Sequence, residues 1–313
     1  MTLEVLKPGP QTTIQSVPRT GQRHLGVPSS GPADPLSMAL ANRLVGNDLL
    51  APALEITLGG LSLRFHAPTA VALTGAQARA TLAGEPLPLH CTREANAGDK
   101  LRIGPAELGA RVYIAFAGGL LADEILGSTS TYLPAALGGH QGRALEKGDR
   151  LTIGRYGRPV ETLVTPDKFQ PPMSTSWALR ACDSRETGWL RDRQQLFGTK
   201  FRVADRCDRM GIMLEGAELE IDSDGRMASA PVFPGTVQCP EDGRVFMLSV
   251  DAQTTGGYAR VAQVERADRH LLGQLRPGDH VRLLRRDRDS AIQELRAKLG
   301  YWREWLDDVE RVI

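Results

Sequence analysis

Three times in the chain a Gly-Asp pair is followed by an alternation of polar and apolar residues: Gly98-Asp99-Lys100-Leu101-Arg102-Ile103, Gly148-Asp149-Arg150-Leu151-Thr152-Ile153 and Gly278-Asp279-His280-Val281-Arg282-Leu283. Gly supplies a positive-φ turn, and the alternation is that of a strand with one buried face. The last two copies are 130 residues apart, from 148 to 278. Two units of that size, each closing on the same turn-and-strand device, make a tandem of β-barrels. The competing reading is that Gly-Asp favours hairpin turns in general and the recurrence is coincidental. Other segments read the same way. Leu61, Leu63 and Phe65 alternate with Ser62 and Arg64, a strand begins at Val71-Ala72-Leu73 and ends at Thr74-Gly75, and the continuous apolar run at 112–117 belongs in the centre of a sheet. The 33 Gly and 20 Pro are spread throughout, which punctuates a chain of short strands.

Residues 158–172 carry Pro159, Pro166, Pro171 and Pro172 with little periodicity and read as a connecting segment. The expected division is a first β domain at 1–157, that linker, a second β domain at 173–287 and a C-terminal helix at 288–313. The second domain opens with a strand near 177–180. A helix-like stretch at 186–197 follows, with Trp189, Arg193 and Leu196 at helical spacing, then strands at 200–204 and 211–214. In the tail, Ile292, Leu295, Leu299, Trp302, Leu306 and Val309 recur at three and four, which predicts one amphipathic helix with Ser290 and Gln293 as a capping box. Its apolar face packs either on its own barrel or on a partner protein.

The stretch GVPSSGPADPLSMALANRLVGN at 26–47 concentrates turn, cap and uncommitted polar groups. Gly26, Pro28, Gly31 and Pro32 constrain a loop holding Ser29 and Ser30. Asp34 is the natural N-cap, Pro35 suits the first helical position and Gly46 offers a left-handed stop, so a helix is expected at 35–45. Leu36, Leu40 and Leu44 form its buried stripe, while Ser37 and Asn42 project elsewhere. Two readings fit Asp34: it caps the helix only, or the loop and the helix N-terminus form a small anion or carbonyl pocket.

A formal net charge of +1 argues against a nucleic-acid partner. Cys91, Cys182, Cys207 and Cys239 show no CxxC spacing, so reduced thiols in a cytoplasm fit better than a zinc ribbon or a disulfide framework. No apolar leader and no run of 18 apolar residues occurs, so neither secretion nor membrane spanning is expected. The chain has no GxxxxGK[ST] loop, no HExxH, no GxSxG and no methionine-flanked lysine of the kind that carries biotin, and its six histidines lack metal-ligand spacing. Any enzymatic chemistry therefore uses carboxylates, amides, hydroxyls and backbone donors. The second cluster of such groups is Gln238 on the 234–240 turn with Asp251, Gln253, Thr254, Thr255, Gly256, Gly257 and Tyr258. A Thr-Thr-Gly-Gly-Tyr loop sets backbone N–H groups beside two hydroxyls and a phenol and suits a carbonyl or carboxylate; a tight hairpin with a packed Tyr has the same sequence. Arg209 either clamps a carboxylate in bidentate fashion or forms a surface ion pair.

The segment GPADPLSMALANRLVGN with Leu54-Glu55 resembles the signature of the allophanate hydrolase subunit 2 family, also called the biotin-dependent carboxyltransferase family. Further blocks resemble it in order: GARVYIAFAGG at 109–119, LGSTST at 126–131, GGHQGRALEKGD at 138–149, DRMGIMLEG at 208–216 and FPGTVQCPEDGRVFMLSVDAQTTGGYARVAQVERAD at 233–268. The family's Asp-x-Gly-Arg pattern is reduced here to Ser16-Val17-Pro18-Arg19, with Arg19 and Gly21 retained. The resemblance implies a mainly β chain of tandem cyclophilin-like β-barrels with a few short helices. It implies one of three functions. The first is the C subunit of an ATP-dependent 5-oxoprolinase, which hydrolyses 5-oxo-L-proline to L-glutamate. The second is a carboxyltransferase of the urea carboxylase type, with biotin on another chain. The third is a non-catalytic KipA-like regulator that binds a kinase inhibitor. All three imply an allophanate hydrolase subunit 1-like partner, which is the 5-oxoprolinase B subunit under the first reading. The LamB/YcsF-like 5-oxoprolinase A subunit joins it there, with ATP bound by or shared with a partner. The candidate catalytic residues are Asp34, Gln238 and Tyr258, and the candidate substrate-binding residues are Ser30, Asn42, Arg209, Thr254, Thr255, Gly256 and Gly257. No metal site is expected.

Overall fold

A computed structural model describes residues 1–155, 161–223 and 227–313. The Gly-Asp device is the same object in all three places. Gly98, Gly148 and Gly278 have φ of 93°, 95° and 90°. Each following Asp turns its carboxylate back onto the N–H three residues earlier: Asn96 donates to Asp99 at 2.7 Å, Glu146 to Asp149 at 2.7 Å and Arg276 to Asp279 at 3.3 Å. The Gly N–H then donates to Phe65, Val5 or Val203, whose own N–H returns to the Asp carbonyl. One turn thus starts each of the strands Lys100–Phe116, Arg150–Ile153 and His280–Arg286 and stitches it to a neighbour.

The chain folds into two compact units: Met1–Arg19, Ser30–Met173 and Trp302–Val312 form the first, and Thr20–Ser29, Ser174–Tyr301 and Ile313 the second. The expected connecting segment begins at residues 158–160, which lie outside the described residues. From Val164, which bridges to Cys91, to the buried Phe169, the chain packs in the first unit.

The first unit is a ten-stranded, barrel-like sheet whose main path runs Gln11–Gln15, Ala53–Thr57, Lys100–Phe116, Leu61–Phe65, Thr2–Pro8, Arg150–Ile153 and Leu120–Leu121. The strand Lys100–Phe116 is its axis, as the apolar run predicts: it pairs with three others and is buried from 110 to 116. One of those partners, Thr69–Leu82, does not end at Gly75 as expected. The register shifts there instead, and the bare Cα at φ 91° admits the Arg111 carbonyl, which would lie 2.3 Å from a Cβ. A bulge lets a strand bend without ending.

Helix α1 spans Pro35–Leu44 and packs on Thr69–Leu82 and Lys100–Phe116. Asp34 caps it, accepting from Ser37 N at 3.0 Å, and Gly46 follows at φ 73°. The expectation of a single apolar stripe is corrected: Ser37 and Asn42 are buried with Leu36, Leu40 and Leu44. A helix enclosed on several sides must satisfy its polar groups internally. Asn42 Nδ2 donates to the carbonyls of Leu49 and Ala51, and its Oδ1 accepts from Asn47.

The second unit is a closed barrel in the order Ser176–Asp183, Ala259–Val264, Thr236–Cys239, Val245–Leu248, Gly211–Glu215, Phe201–Cys207 and His280–Arg286. The last strand closes on the first in parallel, and every other pairing round the barrel is antiparallel. Leu179, Phe201, Val203, Val237, Met247, Val261, Val281 and Leu283 are fully enclosed. The helix expected at 186–197 is corrected to a 3-10 turn at Thr187–Trp189 and a short helix α2 at Arg193–Gly198. Leu190 is extended and bridges to Ile221, and Asp192 caps α2 through Gln194 N at 2.8 Å, so the chain restarts there.

The predicted tail helix is also corrected. Helix α3 covers only Arg288–Arg303, and its first turn is held by Asp287, whose carboxylate accepts from Ser290 N at 2.8 Å and Ser290 Oγ at 3.0 Å, rather than by Ser290. Beyond α3, Leu306 and Val309 are buried in the first unit, Val309 at the start of a 3-10 turn at Val309–Arg311, and Trp302 and Trp305 pack on Phe169 there. Among the described residues no helix is long and apolar enough to cross a membrane.

Candidate functional site

In the first unit the site is the loop that enters α1. Ser30 holds φ 51°, a conformation a non-glycine residue adopts only under constraint, and is 1% exposed. Its hydroxyl has no hydrogen-bond partner among the described residues. Behind the loop Glu55 accepts from Ala33 N at 2.8 Å and from the Tyr113 hydroxyl at 2.7 Å, and Tyr113 accepts from Asp34 N at 2.8 Å. Burial first, then the charges of Glu55 and Asp34, push the Tyr113 phenol well above its ordinary range, so it stays protonated and remains a donor. The Asp34 carboxylate takes both the N–H and the hydroxyl of Ser37. Thr74 Oγ1 donates to the Ser37 carbonyl. The loop is therefore fixed from three strands as well as from its own helix.

The LGSTST segment is fixed through Arg19, which is completely enclosed and donates to the carbonyls of Ile125 at 2.9 Å and Ser130 at 2.9 Å. The residue kept from the reduced family pattern thus organises the chain around it. Gly139 shows the tightness of that packing: at φ 65°, a Cβ there would lie 1.9 Å from Thr131 Oγ1.

In the second unit a cleft of ≈ 600 Å³ is lined by Gln238, Gln253, Tyr258, Arg206, Arg244 and Phe246. Gln238 sits on the strand Thr236–Cys239 between Phe246 and Arg260. It is 2% exposed, and its Nε2 has no hydrogen-bond acceptor among the described residues. Burying an amide donor without an acceptor costs about 1–3 kcal/mol, which makes it an unusual feature of a packed strand. Gly256 explains how the carboxamide is seated, because a Cβ on Gly256 would lie 2.7 Å from Gln238 Nε2.

Thr255–Gly256 pairs as a short strand with Ala230–Pro231, and Val232 N donates to the Thr254 carbonyl at 3.1 Å. Part of the loop's backbone is therefore engaged, while Tyr258 stands at the cleft half exposed. Arg209 does grip a carboxylate in bidentate fashion. That carboxylate is Asp251, at 2.7 and 3.0 Å, with both residues buried.

Asp34, Ser30 and Asn42 belong to the first unit, and Arg209, Gln238 and Thr254 to Tyr258 belong to the second. Sequence reasoning passed over Tyr113 and the role of Glu55, although Leu54-Glu55 stands in the family-like segment; a carboxylate in an otherwise apolar strand was the available signal. It also passed over Arg206, Arg244 and Phe246, whose side chains meet only when the barrel closes. Among the described residues no group of three or more His, Cys, Asp or Glu side chains is placed to hold a metal ion. The arrangement offers a buried amide donor, a phenol and guanidinium groups to a ligand that presents carbonyl or carboxylate oxygens.

Residues 25–285 match the carboxyltransferase domain, subdomain A and B. The chain is 32% identical over 308 residues to the 5-oxoprolinase C subunit of Escherichia coli (strain K12), with 96% of this chain and 97% of that protein covered. It is also 32% identical over 323 residues to urea amidolyase of Saccharomyces cerevisiae, covering 94% of this chain and 18% of that protein. Its fold is similar to the crystal structure of the K. lactis urea amidolyase, with a TM-score of 0.91 at 30% identity over 97% of this chain and 20% of that one.

Proposed function

The chain belongs to the carboxyltransferase domain family, subdomains A and B, and from that premise we propose that it is the C subunit of an ATP-dependent 5-oxoprolinase, which hydrolyses 5-oxo-L-proline to L-glutamate with partner proteins. The observation that carries this reading is the near end-to-end similarity to the 5-oxoprolinase C subunit, 96% of one chain against 97% of the other. The cleft chemistry agrees with it. A five-membered lactam bearing a carboxylate presents oxygen acceptors, and Gln238 Nε2 is a buried donor that lacks one among the described residues. Tyr258 and Arg244 line the same cleft and complete a set of donors for such a ligand. Lactam opening is uphill unless it is coupled, so ATP enters through or together with a partner.

The test is reconstitution. The chain is mixed with a 5-oxoprolinase B-subunit homologue, which is allophanate hydrolase subunit 1-like, and a LamB/YcsF-like A-subunit homologue, and glutamate release from 5-oxo-L-proline is followed with and without ATP. Glutamate formed only with ATP and only when this chain is present supports the proposal; a complete complex that leaves 5-oxo-L-proline intact refutes it. The similarity in fold to K. lactis urea amidolyase supports a second reading, a carboxyltransferase that uses biotin carried by another chain. Under that reading the same preparation, given carboxybiotin and urea, transfers the carboxyl group.

A further inference from the structure

Five charged side chains line the cleft of the second unit, and two of them are uncommitted. Arg244 Nε donates to Asp242 Oδ2 at 2.7 Å, which pairs those two. Asp208 is folded into its own turn, where Oδ1 accepts from Met210 N at 2.7 Å and from Gly211 N at 3.0 Å. Arg206 and Glu241 have no hydrogen bond or ion pair among the described residues. A lone surface charge needs only water. These two differ in sharing a cleft with the buried Gln238 donor, at positions that the strand register fixes.

Gln238 lies opposite Phe246, and Phe246 opposite Met213. All three face outward, since Val237, Met247, Ile212 and Leu214 beside them are enclosed in the barrel. On the next strand Val203 pairs with Leu214 and Cys207 with Ile212, so Ala204, Asp205 and Arg206 together oppose Met213. A bulge of that kind re-aims a side chain, and here Arg206 lines the cleft. At the usual strand spacing, the backbones of Gln238 and Arg206 stand roughly 14 Å apart, across a floor of Phe246 and Met213. Glu241 rises beside the Gln238 strand, on the turn that Gly243 N closes by donating to the Pro240 carbonyl at 3.0 Å.

We propose that this cleft recognises the skeleton of an α-amino acid: Arg206 takes the α-carboxylate, Glu241 the nitrogen next to it, and Gln238 the oxygen of the side-chain carbonyl. The assignment rests on the 5-oxoprolinase reading and names the residues that give it specificity. A guanidinium grips a carboxylate through two parallel N–H bonds. 5-Oxo-L-proline offers its lactam N–H to Glu241 and its ring carbonyl to Gln238. When water opens the ring the C–N bond breaks, the water oxygen ends in the new carboxylate, and the nitrogen takes up the protons of that water to become an ammonium. Glu241 then faces a full positive charge, so the cleft holds L-glutamate as well as the lactam.

Isothermal titration calorimetry on the full chain tests this with two matched pairs of probes. 2-Pyrrolidinone is the lactam without its carboxylate, and glutarate is glutamate without its amine. Wild type is expected to prefer 5-oxo-L-proline to 2-pyrrolidinone, and L-glutamate to glutarate, each on the order of tenfold to a hundredfold, the scale of a hydrogen bond to a charged group. Arg206→Met is expected to erase the first preference and Glu241→Gln the second, each leaving the other in place. Melting temperatures should stay within about a degree of wild type, because neither side chain has a partner to lose among the described residues. Wild type that binds none of the four probes, or preferences that persist in these variants, overturns the proposal. Glutamate release by the reconstituted complex keeps this apart from the proposed function. Turnover with an unchanged KM in Arg206→Met removes the assignment and leaves the function; an inactive complete complex whose chain still shows both preferences removes the function and leaves the binding site.

Discussion

Gln238→Met separates a ligand-binding amide from a structural one. Met nearly conserves the volume and shape of Gln but removes the Nε2 donor, which lies buried against Gly256 and without an acceptor among the described residues. In the ligand-free protein that donor is a liability, and relieving it returns up to about 1–3 kcal/mol, less any loss of solvent contact by the carboxamide oxygen. For a unit of this size each kcal/mol moves the melting temperature by about 2–4 °C. The variant is therefore expected to melt a few degrees above wild type. In the reconstituted complex the same substitution is expected to cost on the order of 10²-fold in turnover, the scale for losing one donor aimed at a reacting oxygen. Differential scanning calorimetry on the isolated chain and glutamate release at saturating ATP give the two readouts. A variant that melts several degrees lower and keeps wild-type turnover refutes the reasoning, since Gln238 would then be a folding residue whose hydrogen bond forms in solution.

Asp34→Asn keeps an acceptor for Ser37 N and removes the charge, so stability is expected to fall by less than about 1 kcal/mol with turnover retained. A 10²-fold loss of rate at unchanged melting temperature would instead assign Asp34 a role as base or charge partner. Asp251→Ala leaves the buried Arg209 guanidinium without its bidentate carboxylate, and denaturant unfolding should show a loss of about 3–5 kcal/mol. Asp149 is held down to about 2, first by its hydrogen bond to Arg143, so it adds stability above its ordinary 3.8 that is lost as pH falls toward 2. Arg143→Met should flatten acid unfolding in that window, followed by circular dichroism; an unchanged acid limb would contradict this.

Local chemistry made much of this protein legible in its sequence. The Gly-Asp turns needed only a residue tolerant of positive φ and a carboxylate within reach of its own backbone, and all three formed alike. The same holds for the Asp34 cap, Pro35 and the stop at Gly46, each decided within one helical turn. Tertiary packing decided the rest. Ser37 and Asn42 are polar, yet they are enclosed, because strands from distant parts of the first unit cover α1 and supply partners such as Thr74. The apolar period of the tail ran to Val309, but its residues past Arg303 found their burial in the first unit, where only a 3-10 turn at Val309–Arg311 forms and the α-helix does not continue. Arg209 and Asp251 were both legible as candidate ligand groups; only the fold could show that they bind each other. The Gln238 amide, whose Nε2 has no acceptor among the described residues, has no sequence signature at all. A donor without an acceptor is a property of a three-dimensional neighbourhood, created when closure of the barrel excludes the water that satisfies such a group in the open chain.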